Sequence, residues 1–174
     1  FRTGVVVGWK SRWYASKQEF ADLLVEDQKV RKFIRNHPDG RFRAQYRNAG
    51  IDRIEIERTR DEVRVMLFVA RPGLIIGKKG QDVEKLQEEL QSLIGRRVNL
   101  KIEEVARPEI QAQLVADEIA QQLMKRANFR RTMKRALETT MDAGAKGIKV
   151  QLAGRLGGAE MARREKQSLG SIPL

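Results

Sequence analysis

Apolar positions along this chain change their period several times, and each change marks an element. From Phe20 they recur at helical spacing, through Leu23, Leu24, Val30, Phe33 and Ile34. Ser16, with Glu19 three residues later, makes a capping box ahead of them. A helix is predicted from Ser16, ended by Asn36-His37-Pro38-Asp39-Gly40, since proline and glycine continue a helix only at a cost. Ile51, Ile54 and Ile56 with intervening charges, then Val63 to Ala70, predict two strands joined through Thr59-Arg60-Asp61. Pro72 and Gly73 end the second strand, and Leu74 to Gly77 is a short helix. Val83, Leu86, Leu90, Leu93 and Ile94 return to helical spacing for about four turns, closed by Gly95. Val98, Leu100 and Ile102 then alternate with Asn99, Lys101 and Glu103, a half-buried strand. The order from Ser16 to Val105 is α-β-β-α-α-β.

A second unit follows. Arg107-Pro108-Glu109 is the expected boundary, with Pro108 suited to the first turn of the next helix. That helix uses Ile110, Leu114, Ile119 and Leu123. Ala127-Asn128 interrupts it, and Asn128 caps another helix to about Asp142. Ala143 to Gly147 turns into a strand over Ile148 to Leu152. The loop Gly154-Arg155-Leu156-Gly157-Gly158 and a short polar helix complete the pattern. Three segments result: a basic aromatic arm over 1–15, a domain over 16–106, and a C-terminal α/β domain over 107–174. The class is α+β, with two helices of the second domain packed on a small sheet.

Composition narrows the function. The 174 residues suffice for one or two small domains, and 41% hydrophobic content is that of a globular chain. Against 23 acids stand 35 Lys and Arg, for a net charge of +12 and a pI near 10.4. That balance is the footprint of a nucleic-acid binder, though a basic surface also serves membranes or acidic proteins. There is no cysteine, which excludes disulfides, thiolate metal sites and cysteine nucleophiles. No apolar run approaches the roughly 18 residues of a membrane span, and no cleavable signal pattern is visible. A soluble protein of the cell interior is expected, without a membrane partner. The chain opens with Phe1 rather than methionine, so residues ahead of it are expected to be missing. In the arm, Arg2, Lys10 and Arg12 interleave with Trp9, Trp13 and Tyr14. Those aromatics suit stacking on RNA, and they suit anchoring the arm on the core equally well.

The segment Gly73-Leu74-Ile75-Ile76-Gly77-Lys78-Lys79-Gly80 carries the first candidate site. Neither Gly77 nor Gly80 has a Cβ to hold off a sugar–phosphate backbone. The helix starting near Gly80 aims unpaired N–H groups at the same spot, and Lys78 and Lys79 add charge. Ile75 and Ile76 are placed to wall a groove for bases. This is the Gly-x-x-Gly arrangement that clamps about four nucleotides in K-homology domains. Four-residue glycine turns are common, so its position between the second and third helices of the α-β-β-α-α-β order carries the weight. A P-loop does not fit: three residues separate Gly73 from Gly77, and Lys79 stands where a hydroxyl belongs. A dinucleotide fingerprint fails because Ile75 stands two before Gly77.

The second candidate is the face formed by Arg130, Arg131, Lys134 and Arg135, opposite Phe129, Met133, Ala136 and Leu137. From Lys125 to Arg135 there are six basic residues and no acid, whereas a merely solvated face mixes signs. The third is Arg155 with Gly157 and Gly158, followed by Arg163, Arg164 and Lys166, with Glu160 and Glu165 diluting the charge; its glycines admit a backbone or simply make a tight turn. His37, the single histidine, reads as a solvated loop residue. With no cysteine and no isolated carboxylate pair, no catalytic constellation, metal site or cofactor site can be built, and an enzyme is not expected.

These blocks resemble a known family. Leu74-Ile75-Ile76-Gly77-Lys78-Lys79-Gly80 within a type II K-homology order, Phe129-Arg130-Arg131-x-Met133-Lys134-Arg135-Ala136, Gly144-Ala145-Lys146-Gly147-Ile148-Lys149-Val150 and Gly154-Arg155-Leu156-Gly157-Gly158-Ala159-Glu160 are similar to those of bacterial-type small ribosomal subunit protein three. The likeness runs through essentially the whole chain. It implies a structural, non-enzymatic component of the small-subunit head, in the cytoplasm or an organelle of bacterial origin. Its partners would be ribosomal RNA, messenger RNA and neighbouring ribosomal proteins. It further implies that the second domain lines the messenger entry channel, with Arg130, Arg131 and Lys134 helping to open messenger duplexes. Members usually continue past Ile172-Pro173-Leu174, so a truncated chain with an incomplete second sheet is expected. Lys166 to Ser171 departs from the aromatic and basic residues of relatives, which puts RNA contacts there in doubt. Two rivals stay open: a free K-homology factor in transcription or RNA regulation, and an enzyme acting on RNA or damaged DNA.

Overall fold

A computed structural model describes residues 8–60, 62–77 and 80–172. Its contacts divide the chain into two units, between Ala106 and Arg107.

In the first unit a four-stranded sheet runs in the order β1 (Ser11–Arg12), β2 (Ile51–Arg58), β3 (Glu62–Val69), β4 (Arg97–Glu104). β1 is parallel to β2, β2 antiparallel to β3, and β3 parallel to β4. Val63, Val65, Leu67 and Val69 of β3 all point into the core, as the two-residue period of a strand requires. The helices are α1 (Phe20–Arg35), α2 (Gly40–Ala49), α3 (Pro72–Ile76) and α4 (Gln81–Ile94).

Three expectations need correction here. The helix expected from Ser16 begins at Phe20, because the Ser16 hydroxyl donates to the Glu19 carboxylate at 3.2 Å instead of accepting a backbone N–H. Only the C-terminal half of its stripe is buried: Val30 and Ile34 are sealed, while Phe20 and Leu24 are about half exposed. Helix α2 is absent from the sequence pattern. Asp39, read as part of a stop, also starts it, accepting the Arg41 N–H at 2.9 Å. Phe42, Tyr46 and Ala49, spaced four and three apart, bury its inner face. The α-β-β-α-α-β order is completed by α2, and α1 precedes it.

The third correction concerns His37, which is 2% exposed rather than solvated. Its ring lies among Phe33, Phe42 and Tyr46, with centroids 4.8 to 5.7 Å away. Nδ1 accepts the Asp39 N–H at 3.2 Å, so the proton sits on Nε2 and is donated to Glu89 at 2.7 Å. A buried imidazole needs both nitrogens satisfied, and the turn supplies one partner while α4 supplies the other.

The arm is fastened by a buried charge. Asp27 of α1 accepts from Arg58 at 2.6 and 2.9 Å, from the Trp13 indole at 2.8 Å and from Ser11 at 3.0 Å. Arg31 donates to the Lys10 carbonyl at 2.9 Å and the Ser11 hydroxyl at 3.0 Å. Trp13 is thus an anchor.

The second unit holds a 3-10 turn (Pro108–Ile110), α5 (Ala112–Met124), α6 (Phe129–Asp142), β5 (Gly147–Gly154) and β6 (Arg163–Gly170). Pro108 lies in the separate 3-10 turn, not in α5. Ile119, Met133, Leu137 and Val150 form the core, where the two helices cover one face of the β5–β6 ribbon. The short polar helix expected after Gly158 is a strand. Arg163 to Leu169 lacks β-branched and aromatic residues, so its local propensity favours a helix. Pairing with the open edge of β5, from Gly147↔Gly170 to Gly154↔Arg163, overrides it. Among the described residues no helix is long and apolar enough to cross a membrane.

Replacing Asp27 by alanine leaves the Arg58 side chain, 4% exposed, with Glu26 as its one ion partner among the described residues. The expected loss is about 3 kcal/mol in urea unfolding, with Asp27→Asn losing less because it still accepts hydrogen bonds.

Candidate nucleic-acid interfaces

The glycine loop lies between α3 and α4. Gly77 ends α3 at φ 69° and ψ −169°, a region essentially reserved for glycine. A Cβ there would collide with the Asp82 carboxylate. Gly80 precedes α4 at φ 81°, with open space where its Cβ would be. Among the described residues no side chain caps α4. Asp82 and Glu84 in the first turn already interact favourably with the helix dipole and oppose an incoming phosphate. Gln45 of α2 braces the loop from behind, donating to the Leu74 carbonyl and to Asp82 at 3.1 Å. Burial, and then the charges of Glu89 and Asp82, hold the nearby Tyr46 phenol well above its ordinary pKa, so it stays protonated.

Ile75 does not wall a groove, because it is fully buried in the core. One residue of helical rotation separates it from Ile76, which is 40% exposed, as Leu74 is at 38%. The apolar surface beside the loop therefore belongs to Leu74 and Ile76. Lys78 and Lys79 lie outside the described residues.

The second surface is built on α6. Asn128 caps it, its side chain accepting the Arg130 N–H at 3.0 Å. Met133, Leu137 and Thr140 face the core, and Arg130, Arg131, Lys134 and Arg135 face solvent. Two of the four have acidic neighbours that the local run does not contain. Arg130 lies 3.8 Å from Glu165 of β6, and Lys134 lies 3.8 Å from Glu138 one turn on. These pairs are loose and both cations are well exposed, so each pair contributes little and yields readily to a phosphate. Among the described residues no carboxylate lies within ion-pair distance of Arg131 or Arg135.

Folding joins part of the third candidate to this face. Arg163 sits 3.0 Å from Glu165, and the guanidinium carbons of Arg130 and Arg163 each lie 5.6 Å from the centre of the Phe129 ring. A Cβ on Gly157 would rest 3.7 Å from the same ring. Phe129 is therefore a hub that the sequence pattern assigned only to the core. Arg155 closes its own loop by donating to the Ala159 carbonyl at 2.9 Å, beside Gly157 and Gly158. Arg164 is exposed and, by the alternation of a strand, faces away from Arg163 and the cluster. Among the described residues no group of His, Asp and Glu could hold a metal ion.

Known proteins match this arrangement in both units. A family model described as a KH domain covers residues 41–110, and one described as Ribosomal protein S3, C-terminal domain, covers 119–174. The small ribosomal subunit protein uS3 of Rhodopirellula baltica is 78% identical over 174 residues, spanning 100% of this chain and 72% of the relative. That of Thermodesulfovibrio yellowstonii is 50% identical over 173 residues, spanning 99% and 76%. The chain belongs to the uS3 family of small ribosomal subunit proteins. It is thus a structural ribosomal protein with a KH domain and not an enzyme. The KH match begins inside α2, in keeping with α2 as the first helix of that order.

The glycine loop yields a ranked test. Gly77→Ala imposes both a strained backbone and a collision with Asp82, whereas Gly80→Ala imposes strain alone. Losses of about 2–3 and about 1 kcal/mol are expected in urea unfolding; equal losses would mean that Asp82 does not hold the position described.

Proposed function

We propose that this uS3 protein binds ribosomal RNA in the small-subunit head and lines the messenger entry channel with the α6 face. The observation that carries this reading is the cationic row Arg130, Arg131, Lys134 and Arg135, exposed opposite a packed core and only loosely paired. Such a row contacts phosphates in any sequence, as a channel for all messengers requires. A fixed row of cations on a rigid helix also grips one backbone of a stem while the messenger is drawn past it, so that the other strand is left behind. Opening a duplex in this way uses no nucleotide hydrolysis. Arg163 and the Gly157–Gly158 turn extend the surface around Phe129, and the glycine loop supplies a further contact for single-stranded RNA in the first unit.

Alanine at Arg130, Arg131 and Lys134 together removes charge without opening a cavity, and stability should change by no more than about 0.5 kcal/mol per site. Log affinity for single-stranded RNA against log salt should flatten by about 2, whatever the RNA sequence. Subunits carrying the triple change should assemble and then stall more on messengers with a hairpin ahead of the entry site. Normal salt dependence with normal passage through hairpins would return the face to solvent.

Aspartate at Lys78 and Lys79 retains both glycines, so far-UV circular dichroism should not change. Single-strand binding should weaken through charge reversal at the phosphates. Unchanged binding would remove the glycine loop from the RNA-binding surface.

A further inference from the structure

The arm and α1 enclose a cationic groove separate from the glycine loop and the α6 face. Of the arm's aromatics, Trp13 is committed to Asp27 and packs on Phe20 with centroids 5.3 Å apart. Trp9 is 84% exposed and lines a groove of about 760 Å³, together with Leu24, Lys10, Arg31, Lys32 and Arg35. None of the groove's lining residues is acidic. Arg31 lines it too, held by the carbonyls of Lys10 and Ile54; burial lowers its pKa against the opposing charge of Asp27, with Arg35 pushing the same way as burial. Lys10, Lys32 and Arg35 keep exposed head groups, and among the described residues no carboxylate lies within ion-pair distance of them.

A solvated helix face has no reason to collect like charges around an exposed indole. A flat aromatic beside unpaired cations is the pattern that takes a base on the ring and its phosphates on the ammonium and guanidinium groups. We infer that this groove binds a short segment of single-stranded RNA, with one base stacked on Trp9 and the backbone along Lys10, Lys32 and Arg35. The site is independent of the α6 reading.

The test uses the full chain carrying Arg130→Ala, Arg131→Ala and Lys134→Ala, so that α6 binding does not mask the groove. Titration with oligouridylate of about ten nucleotides should quench tryptophan emission as a base covers Trp9. Trp9→Ala should abolish the quenching, leave Trp13 emission steady, and weaken binding roughly tenfold. Lys32→Glu with Arg35→Glu should weaken it at least as much at about 100 mM salt, where exposed charges still act over short range. Absence of quenching, or quenching that survives the charge reversals, overturns the assignment. Equal quenching by polyglutamate overturns it in favour of an acidic protein partner, and equal quenching by heparin reduces it to charge without base recognition.

Discussion

The first unit depends on the ion pair between Asp27 and Arg58, taken out of water where α1 crosses the end of β2. A buried charge is tolerated only when every lone pair finds a donor, and here Ser11 and Trp13 of the arm supply the remainder. Ser11 to Trp13 of the arm are consequently part of the fold. The two residues of strand join the sheet beside β2, the indole is held in place, and Trp9 is left projecting from a fixed base. A hydrophobic pair in the same place would hold the helix to the strand without directing the arm.

The same constraint governs acids elsewhere. Carboxylates are outnumbered, 23 against 35 Lys and Arg, and several of the best-placed ones act as fasteners. Glu89 holds His37, Asp82 fills the space left by Gly77, and Glu165 gathers Arg130 and Arg163. With these acids engaged at element junctions, the helix faces that carry lysine and arginine are left with little to neutralise them. The cationic surfaces of this uS3 protein therefore follow from where its acids are needed as much as from where its cations stand.

The two units reach their cores differently. In the first, four strands and four helices surround a continuous cluster, so single positions such as Ile75 are wholly enclosed. In the second, two helices cover one face of a two-stranded ribbon, and most of the surrounding apolar residues remain partly open. Arg130 and its neighbours gain from that thinness, since the ribbon brings Arg163 and the glycine turn up to the helix end without burying any of them.

Local periodicity is enough for the strands β2 to β5, the helix α4 and the Asn128 cap, because each rests on contacts within a few residues or on a period that one face imposes. It is enough, too, for the cationic face of α6, since four exposed positions follow from about 3.6 residues per turn. It is not enough where partners come from far along the chain. Arg163 to Leu169 carries helical propensity and is a strand because β5 offers an open edge. His37 looks solvated in its turn and is buried by three rings and a glutamate 52 residues away. Helix α2 is hidden because Asp39 both ends one element and begins the next. Which arm aromatic anchors and which stays free is settled only by the reach of Asp27, since Trp9 and Trp13 have similar basic neighbours and differ solely in what the folded chain places opposite them.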